Sequence, residues 1–467
     1  MYIIAKIVKK QKNKISPTRQ IIISFLIVIL LGAILLSLPI SNRNGSLTFL
    51  NHLFVATSAT CVTGLFPITI SEQYTIFGQL VILIMIQIGG LGFLTFLYLL
   101  LGKIQKKLSL RRKMVLQEML NQSSISDSSL MVRRILTYTF VVQGGGALLF
   151  MFILIPEYGW LRGVYYSIFH GISSFTNAGI DVFGSTSLAN YQSHPFMLLI
   201  TASLIILGSL GFIVWYDLLE GISTQWRSLS SFRIRRLFVK LSLHSKIVLV
   251  MTSFLLITAT VILFFAERNN PETIGELSFS GQLLNSFFLS ASSRTAGFTT
   301  FPTMHLNFGT QLILWLYMFI GGSPTGTAGG IKTTTFMITV LMIYHLYKGR
   351  KEIQLFGRTI HQQLVIRCFA VIALAFLTLF IALITLSFTE IAPFMDLAVE
   401  VISAFTTVGI SHQITPELTL IGNLILMSLM FIGRVGTMTL LISFVNKSHQ
   451  QKEKKEIGLP KEDLLIG

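Results

Sequence analysis

Residues 58–65 read SATCVTGL, and three later stretches repeat the pattern: SSFTNAGI at 173–180, ASSRTAGF at 291–298 and SAFTTVGI at 403–410. Aligned on Gly64, Gly179, Gly297 and Gly409, each copy has Ser or Ala six and five places earlier and an apolar residue directly after. The glycines lie 115, 118 and 112 residues apart, which indicates one unit copied four times. Glycine tolerates backbone angles that turn a carbonyl inward, and a glycine stretch held between apolar segments suits an ion path lined by backbone oxygens. The plainer alternative, a loop glycine in each of four helical hairpins, leaves the repeated residues before the glycine unexplained.

Composition places these copies in a membrane. The chain has 467 residues, of which 52% are hydrophobic and 12% charged, and its mean hydropathy is +0.72. Soluble domains carry about 25% charged residues. The net charge of +17 raises the question of nucleic acid, but the basic residues cluster between apolar spans on one side, so no nucleic-acid partner is expected. Cys61 and Cys368 are the two cysteines and supply no disulfide framework. The apolar run 21–40 follows a basic segment, yet it is a full bilayer span with no cleavage signature after it, so it reads as a first membrane helix.

Each unit reads as a long apolar helix, a shorter apolar stretch ending near the glycine, and a second long helix. The expected boundaries are 21–40, 47–61 and 77–101; 132–155, 162–176 and 195–219; 246–266, 279–293 and 308–346; 364–389, 393–406 and 418–445. The middle stretches are too short to span and suit re-entrant helices. The fold class is therefore all-α integral membrane, with four pseudo-symmetric repeats at 20–101, 131–220, 245–346 and 364–445 around one central pore. Eight transmembrane helices and four pore helices are expected, with segments 1–19 and 446–467 outside the membrane. The linkers carry clusters such as Lys103–Lys113 and Arg233–Lys240, and by the positive-inside rule they and both termini face the cytoplasm. Glu72, Glu157, Asp181, Glu267, Glu272, Glu276, Glu390, Asp396, Glu400 and Glu417 are expected on the opposite side, around a cation-gathering mouth. An outward loop that is merely polar is the alternative.

A dehydrated monovalent cation needs several oxygens in place of its water shell. The expected filter lining is Val62, Thr63 and Gly64; Asn177, Ala178 and Gly179; Thr295, Ala296 and Gly297; Thr407, Val408 and Gly409, with Cys61, Thr176, Arg294 and Thr406 at its base. The C-terminal ends of the four pore helices favour a cation in the cavity below. Arg294 is out of place at a cation filter and is expected to turn away and pair with an acid or with carbonyls. Cys61 reads as a small packing residue rather than a metal ligand.

These four single-glycine filters resemble those of the Trk/Ktr/HKT superfamily of potassium-translocating proteins, and within it the KtrB type, over Ile21 to about Phe444. The resemblance implies that Gly64, Gly179, Gly297 and Gly409 are the potassium-binding filter glycines, with weaker rejection of sodium than in channels bearing TVGYG. It further implies a homodimer on a cytosolic ring of KtrA-type nucleotide-binding subunits, surrounded by membrane lipid, in a prokaryotic plasma membrane. Potassium is then the transported ion and sodium a candidate activator, and this chain itself binds no nucleotide and is no enzyme.

A second alignment lies in the third helices: IGGLG from Ile88, LGSLG from Leu207, IGGSP from Ile320 and IGRVG from Ile432. Small residues there let helices approach closely or break. In repeat 3 the helix runs into GGSPTGTAGGIKTTT, 321–335. Gly321, Gly322, Ser323, Pro324, Thr325, Gly326, Thr327, Ala328, Gly329 and Gly330 cannot stay helical, and such backbone is tolerable in a bilayer only where it is buried or lines water. A gate below the filter and a simple kink are the two readings, and the resemblance implies the gate. A phosphate-binding loop is excluded because Ile331 stands where that motif needs glycine. Arg434, in the apolar stretch Leu420–Val445, reads as an electrostatic barrier cooperating with this loop or as a tie to helix carbonyls. Lys332 is expected to snorkel outward. A carrier coupling potassium to sodium or protons, and a non-conducting subunit of a sodium-pumping ATPase, are the rival functions. The first lacks well-buried intramembrane acids in the sequence and the second has no need of four complete filters.

Overall fold

The computed structural model describes residues 17–92, 128–227, 234–350 and 352–437, except positions 44, 46, 185 and 186. The expected N-terminal segment before residue 17, the first basic linker, positions 93–101 and 438–445 of two expected helices, and the tail 446–467 lie outside the described residues. Fourteen helices carry the architecture: α1 Pro17–Ser37, α2 Phe49–Cys61, α3 Ile76–Leu91, α4 Ser128–Tyr158, α5 Trp160–Thr176, α6 Pro195–Ser209 and α7 Phe212–Arg227, then α8 Leu243–Glu267, α9 Phe279–Ser292, α10 Phe308–Phe319, α11 Thr333–Tyr347, α12 Gln362–Thr389, α13 Phe394–Thr406 and α14 Leu420–Val435. A short antiparallel ribbon, β1 Gln354–Leu355 with β2 Arg358–Thr359, joins α11 to α12.

Among the described residues four helices are long and apolar enough to cross a membrane, one within each of α1, α4, α8 and α12. Their outward faces expose large apolar side chains, Leu31 at 56% and Phe380 at 63% among them. Contiguous apolar surface of that extent is untenable in water. The chain is a multi-pass helical membrane protein. The helices ending at the filter, α2, α5, α9 and α13, have 13, 17, 14 and 13 residues. At about 1.5 Å per residue none reaches the roughly 30 Å of a hydrocarbon core.

The third helix of each unit, expected to be continuous, is interrupted. α3 stops at Leu91 and α14 at Val435; α6 and α7 meet at 97° rather than forming one helix over 195–219; a non-helical loop separates α10 from α11. The reason is the last column of the second alignment, occupied by Gly92, Gly211, Pro324 and Gly436. The three glycines have φ of +79°, +90° and +93°, a left-handed conformation that ends a helix; in repeat 3 the helix already ends at Phe319, and Pro324, without an N–H, lies in the loop that follows.

The units close on one another. α3 packs on α5, α6 on α9, α10 on α13, and α14 on α2, so the third helix of each unit leans on the filter helix of the next. Apolar burial drives little helix association in lipid, where close packing substitutes for it. Within each of three units the second alignment supplies close packing of the third helix on that unit's own filter helix: a Cβ on Gly89, Gly208 or Gly433 would stand 2.0, 1.8 and 1.8 Å from the carbonyl oxygens of Thr60, Phe175 and Phe405, while across units a Cβ on Gly90 would stand 2.8 Å from Thr176 Cγ2. Only glycine permits that approach.

Candidate functional site

The structure brings the four glycine stretches together. A Cβ built on Gly64 would lie 2.6 Å from Ala178 O, on Gly179 2.3 Å from Ala296 O, on Gly297 2.2 Å from Val408 O, and on Gly409 2.2 Å from Thr63 O. Each glycine therefore abuts the carbonyl one place before the next glycine, and the fourth returns to the first. All four have positive φ, from +65° to +91°. So do Val62, Asn177, Thr295 and Thr407, two places earlier, at +59°, +61°, +76° and +54°. These β-branched and amide side chains in the left-handed region are held there by the fold, because unsupported they cost roughly 1–3 kcal/mol each.

The repeated serines explain how. Ser58 and Ser403 Oγ accept from the N–H groups of Gly64 and Gly409 at 3.1 and 2.9 Å, and Ser173 Oγ from Ile180 N–H at 3.0 Å. Repeat 3 has Ala291 in that column, and α9 ends two residues short of the corresponding point, at Ser292. Ser292 then takes the post, donating its hydroxyl to Phe298 O at 2.6 Å. The serines were visible in the sequence as a column, without this role.

Beyond the glycines opens a vestibule of about 590 Å³, whose wall includes all four of them, Asp181 and Ser411. The expected ring of mouth acids is thinner than predicted. Glu400 is fully buried and accepts from the hydroxyls of Ser411, at short range, and Thr415, at 3.0 Å. It pins the segment after Gly409, beside a His412–Asp396 pair at 2.7 Å. Glu267 is likewise buried, accepting from Asn270, Thr273 and the Asn307 N–H. Glu390 accepts from the Thr419 N–H at 2.9 Å and ties α12 to the start of α14. Asp181 remains on the vestibule wall; burial pushes its carboxyl up to about 6, against lowering hydrogen bonds from the Phe183 N–H, Ser187 and the Gly184 N–H.

On the opposite side of the ring the 321–335 loop meets the ends of the filter helices. Thr327 Oγ1 donates to Phe175 O at 3.2 Å, Ser323 N–H to Ser209 O at 3.0 Å and Thr327 N–H to Gly208 O at 3.2 Å. A Cβ on Gly329 would lie 2.1 Å from Thr407 Oγ1 and 3.2 Å from Thr406 O. Arg434 Nη1 donates at short range to Thr327 O, and Nη2 to Gly89 O and, at 3.3 Å, Gly90 O. The guanidinium thus ties repeat 4 to carbonyls of repeat 1 and of the loop. Lys332 does not snorkel outward: Nζ turns back to donate to Ala328 O at 2.7 Å, because the loop's carbonyls have no helical partners to take. Arg294 is 1% exposed, and its Nε and Nη2 are buried with no hydrogen-bond partner, so the expected pairing with an acid or carbonyls is absent at these two nitrogens. Cys61 is buried at the end of α2, and Thr176 and Thr406 bond back to Ile172 O and Ile402 O at 2.7 and 2.6 Å.

A ring of carbonyls and glycines between a water-accessible vestibule and a folded loop, inside an apolar helical frame, describes a protein that passes ions through a bilayer. The model of the TrkH family, described as "Cation transport protein", matches residues 5–455, and the chain belongs to that family. It is 38% identical to the potassium/sodium uptake protein NtpJ of Enterococcus hirae, over 98% of this chain and 99% of that one. Identity is 36% to the Ktr system potassium uptake protein B of Bacillus subtilis, over 98% and 99%, and 36% to that of Vibrio alginolyticus, over 98% and 97%. The crystal structure of the potassium transporter TrkH from Vibrio parahaemolyticus superposes with a TM-score of 0.67 at 17% identity, covering 90% of this chain and 84% of that one, and shows a shared fold.

Proposed function

We propose that this chain is a potassium-translocating pore subunit in which four repeats place their filters on one axis and the 321–335 loop with Arg434 gates the path below them. The observation that carries the reading is the closed cycle of contacts from Gly64 through Gly179, Gly297 and Gly409 back to Thr63. Carbonyls on such a cycle replace a cation's water shell without net charge, and the negative ends of four helix dipoles favour the ion. The loop occupies the route, so it must move or unfold for conduction. Arg434 holds the Thr327 carbonyl and adds a positive barrier where a cation would leave the filter. The remaining parts of the reading rest on the resemblance and on the placement of the basic linkers. They are a homodimer, a cytosolic KtrA-type nucleotide-binding ring acting on the loop, termini in the cytoplasm and a prokaryotic plasma membrane.

A second reading, sodium-coupled potassium uptake on the same fold, draws on the potassium/sodium relative named above. Purified protein in liposomes with defined potassium and sodium separates the two. Unitary currents in potassium alone support the pore. Uptake that requires sodium on the same side, without unitary currents, supports the carrier, and no potassium flux in either condition removes both.

A further inference from the structure

At the end of the bundle that holds the gate loop, a second cavity of about 690 Å³ opens between the start of α4 and α7, lined by Arg133, Arg134, Tyr138, Phe212, Trp215 and Tyr216 among others. α7 leaves α6 at 97° and so runs along the membrane plane rather than through it, with apolar and aromatic residues interleaved with Asp217 and Glu220. That is the character of an interfacial helix. Both arginines are exposed. Arg134 lies over the Tyr216 ring at 5.1 Å. Glu220 also lines the cavity, but it forms no ion pair within 4 Å with Arg133 or Arg134. Two guanidiniums thus flank the cavity without a carboxylate in contact.

A second observation points into the same space. The Tyr138 ring stacks on Trp215 at 4.9 Å, and the Tyr138 hydroxyl is buried with no hydrogen-bond partner. Trp215 spends its own N–H on Leu207 O at 2.9 Å. A buried phenol without a partner costs about 1–3 kcal/mol, and Tyr138 lines the cavity together with Arg133 and Arg134. Phosphate suits the guanidiniums, ester or glycerol oxygen suits the phenol, and an acyl chain suits Ile135 and Leu219, which also line the cavity.

We propose that this cavity binds an anionic glycerophospholipid, with its phosphate on Arg133 and Arg134 and its glycerol region at Tyr138. The site has a direct route to the gate. Phe212, in the cavity wall, donates its N–H to Thr325 O of the loop at 3.3 Å, and a Cβ on the neighbouring Gly211 would lie 2.5 Å from Pro324 O. Lipid seated against α7 therefore biases the loop; this coupling, unlike the binding, rests on the gate reading above.

The test is native mass spectrometry of the full chain released from detergent with phosphatidylglycerol or phosphatidylcholine in equal amounts. The wild type is expected to retain phosphatidylglycerol at least tenfold in preference. The Arg133→Gln/Arg134→Gln pair should lose that preference, and Tyr138→Phe, which keeps the ring, should reduce it a few-fold. Equal retention of the two lipids by the wild type overturns the proposal, as does an undiminished preference in the double variant. If the double variant does not fold, an unchanged preference in Tyr138→Phe overturns the Tyr138 contact. Displacement of the bound lipid by millimolar inorganic phosphate reassigns the site to a free anion and overturns it too. Rubidium flux into phosphatidylglycerol against phosphatidylcholine liposomes reads the coupling, with a several-fold difference in the wild type that the double variant abolishes. The retention experiment needs no flux, so a chain that failed to conduct would defeat the pore reading and leave the lipid site standing.

Discussion

Gly409→Ser probes the ring where it closes. Gly409 has φ +91°, and its Cβ would stand 2.2 Å from Thr63 O and 3.1 Å from Gly64 Cα. Real Cβ atoms essentially never come within 3.0 Å of such a neighbour, so the Thr63 carbonyl must retreat by about 0.8 Å. The left-handed conformation adds roughly 1–2 kcal/mol for a residue with a Cβ. Both effects fall on one of the four carbonyls that would surround the ion. If its displacement removes about 1.4 kcal/mol of the preference for potassium, the potassium-to-sodium permeability ratio falls about tenfold. Reversal potentials under bi-ionic conditions measure this ratio directly. Gly309→Ser is the matched control, since Gly309 lies in the first turn of α10 with nothing within 4 Å of its Cβ. A folded Gly409→Ser protein with the control's permeability ratio would refute the assignment of this carbonyl to the filter.

Three further outcomes follow from the same geometry. Deleting Thr325–Gly329 removes the loop's contacts with Phe175, Gly208 and Thr407 and should raise basal rubidium flux; a well-folded deletion with lower flux argues against a gate. Arg434→Gln removes a charged donor from Thr327 O, a bond worth roughly 1.5–3 kcal/mol, so leak through the unstimulated protein should rise about 10- to 150-fold, and equal leak leaves the arginine a structural tie. Asp181, its carboxyl pushed up to about 6, is charged above that pH and neutral below it. Uptake from dilute potassium should fall as the vestibule side is acidified through pH 6, and Asp181→Asn should flatten the profile at the lower level; a wild-type profile flat from pH 7.5 to 5 contradicts a cation-gathering role.

The repeat was legible because its glycines and serines sit at fixed offsets, and those offsets are what the backbone needs: a left-handed glycine and a hydroxyl that holds the neighbouring amide. The first helices were legible too, as long apolar runs without a break. The breaks in the third helices were less so. Gly92, Gly211 and Gly436 end their helices, yet single glycines in apolar runs also occur in straight helices that pack closely, and only tertiary contact distinguishes the two. Non-glycine residues at positive φ, such as Val62 and Thr407, could not be read from residue type, since both prefer extended backbone. Glu400 and Lys332 were placed by charge alone at a watery mouth and a membrane edge. Local hydroxyls and unpaired loop carbonyls, invisible to a charge count, draw them inward instead.

The measurement closest to the central claim is anomalous scattering from crystals of the purified protein soaked in rubidium or thallium. The account predicts a peak on the axis enclosed by Gly64, Gly179, Gly297 and Gly409, within coordinating distance of the carbonyls of Thr63, Ala178, Ala296 and Val408, and weakened in Gly409→Ser. Ordered filters with no peak among them, or a peak held elsewhere by carboxylates, would contradict it.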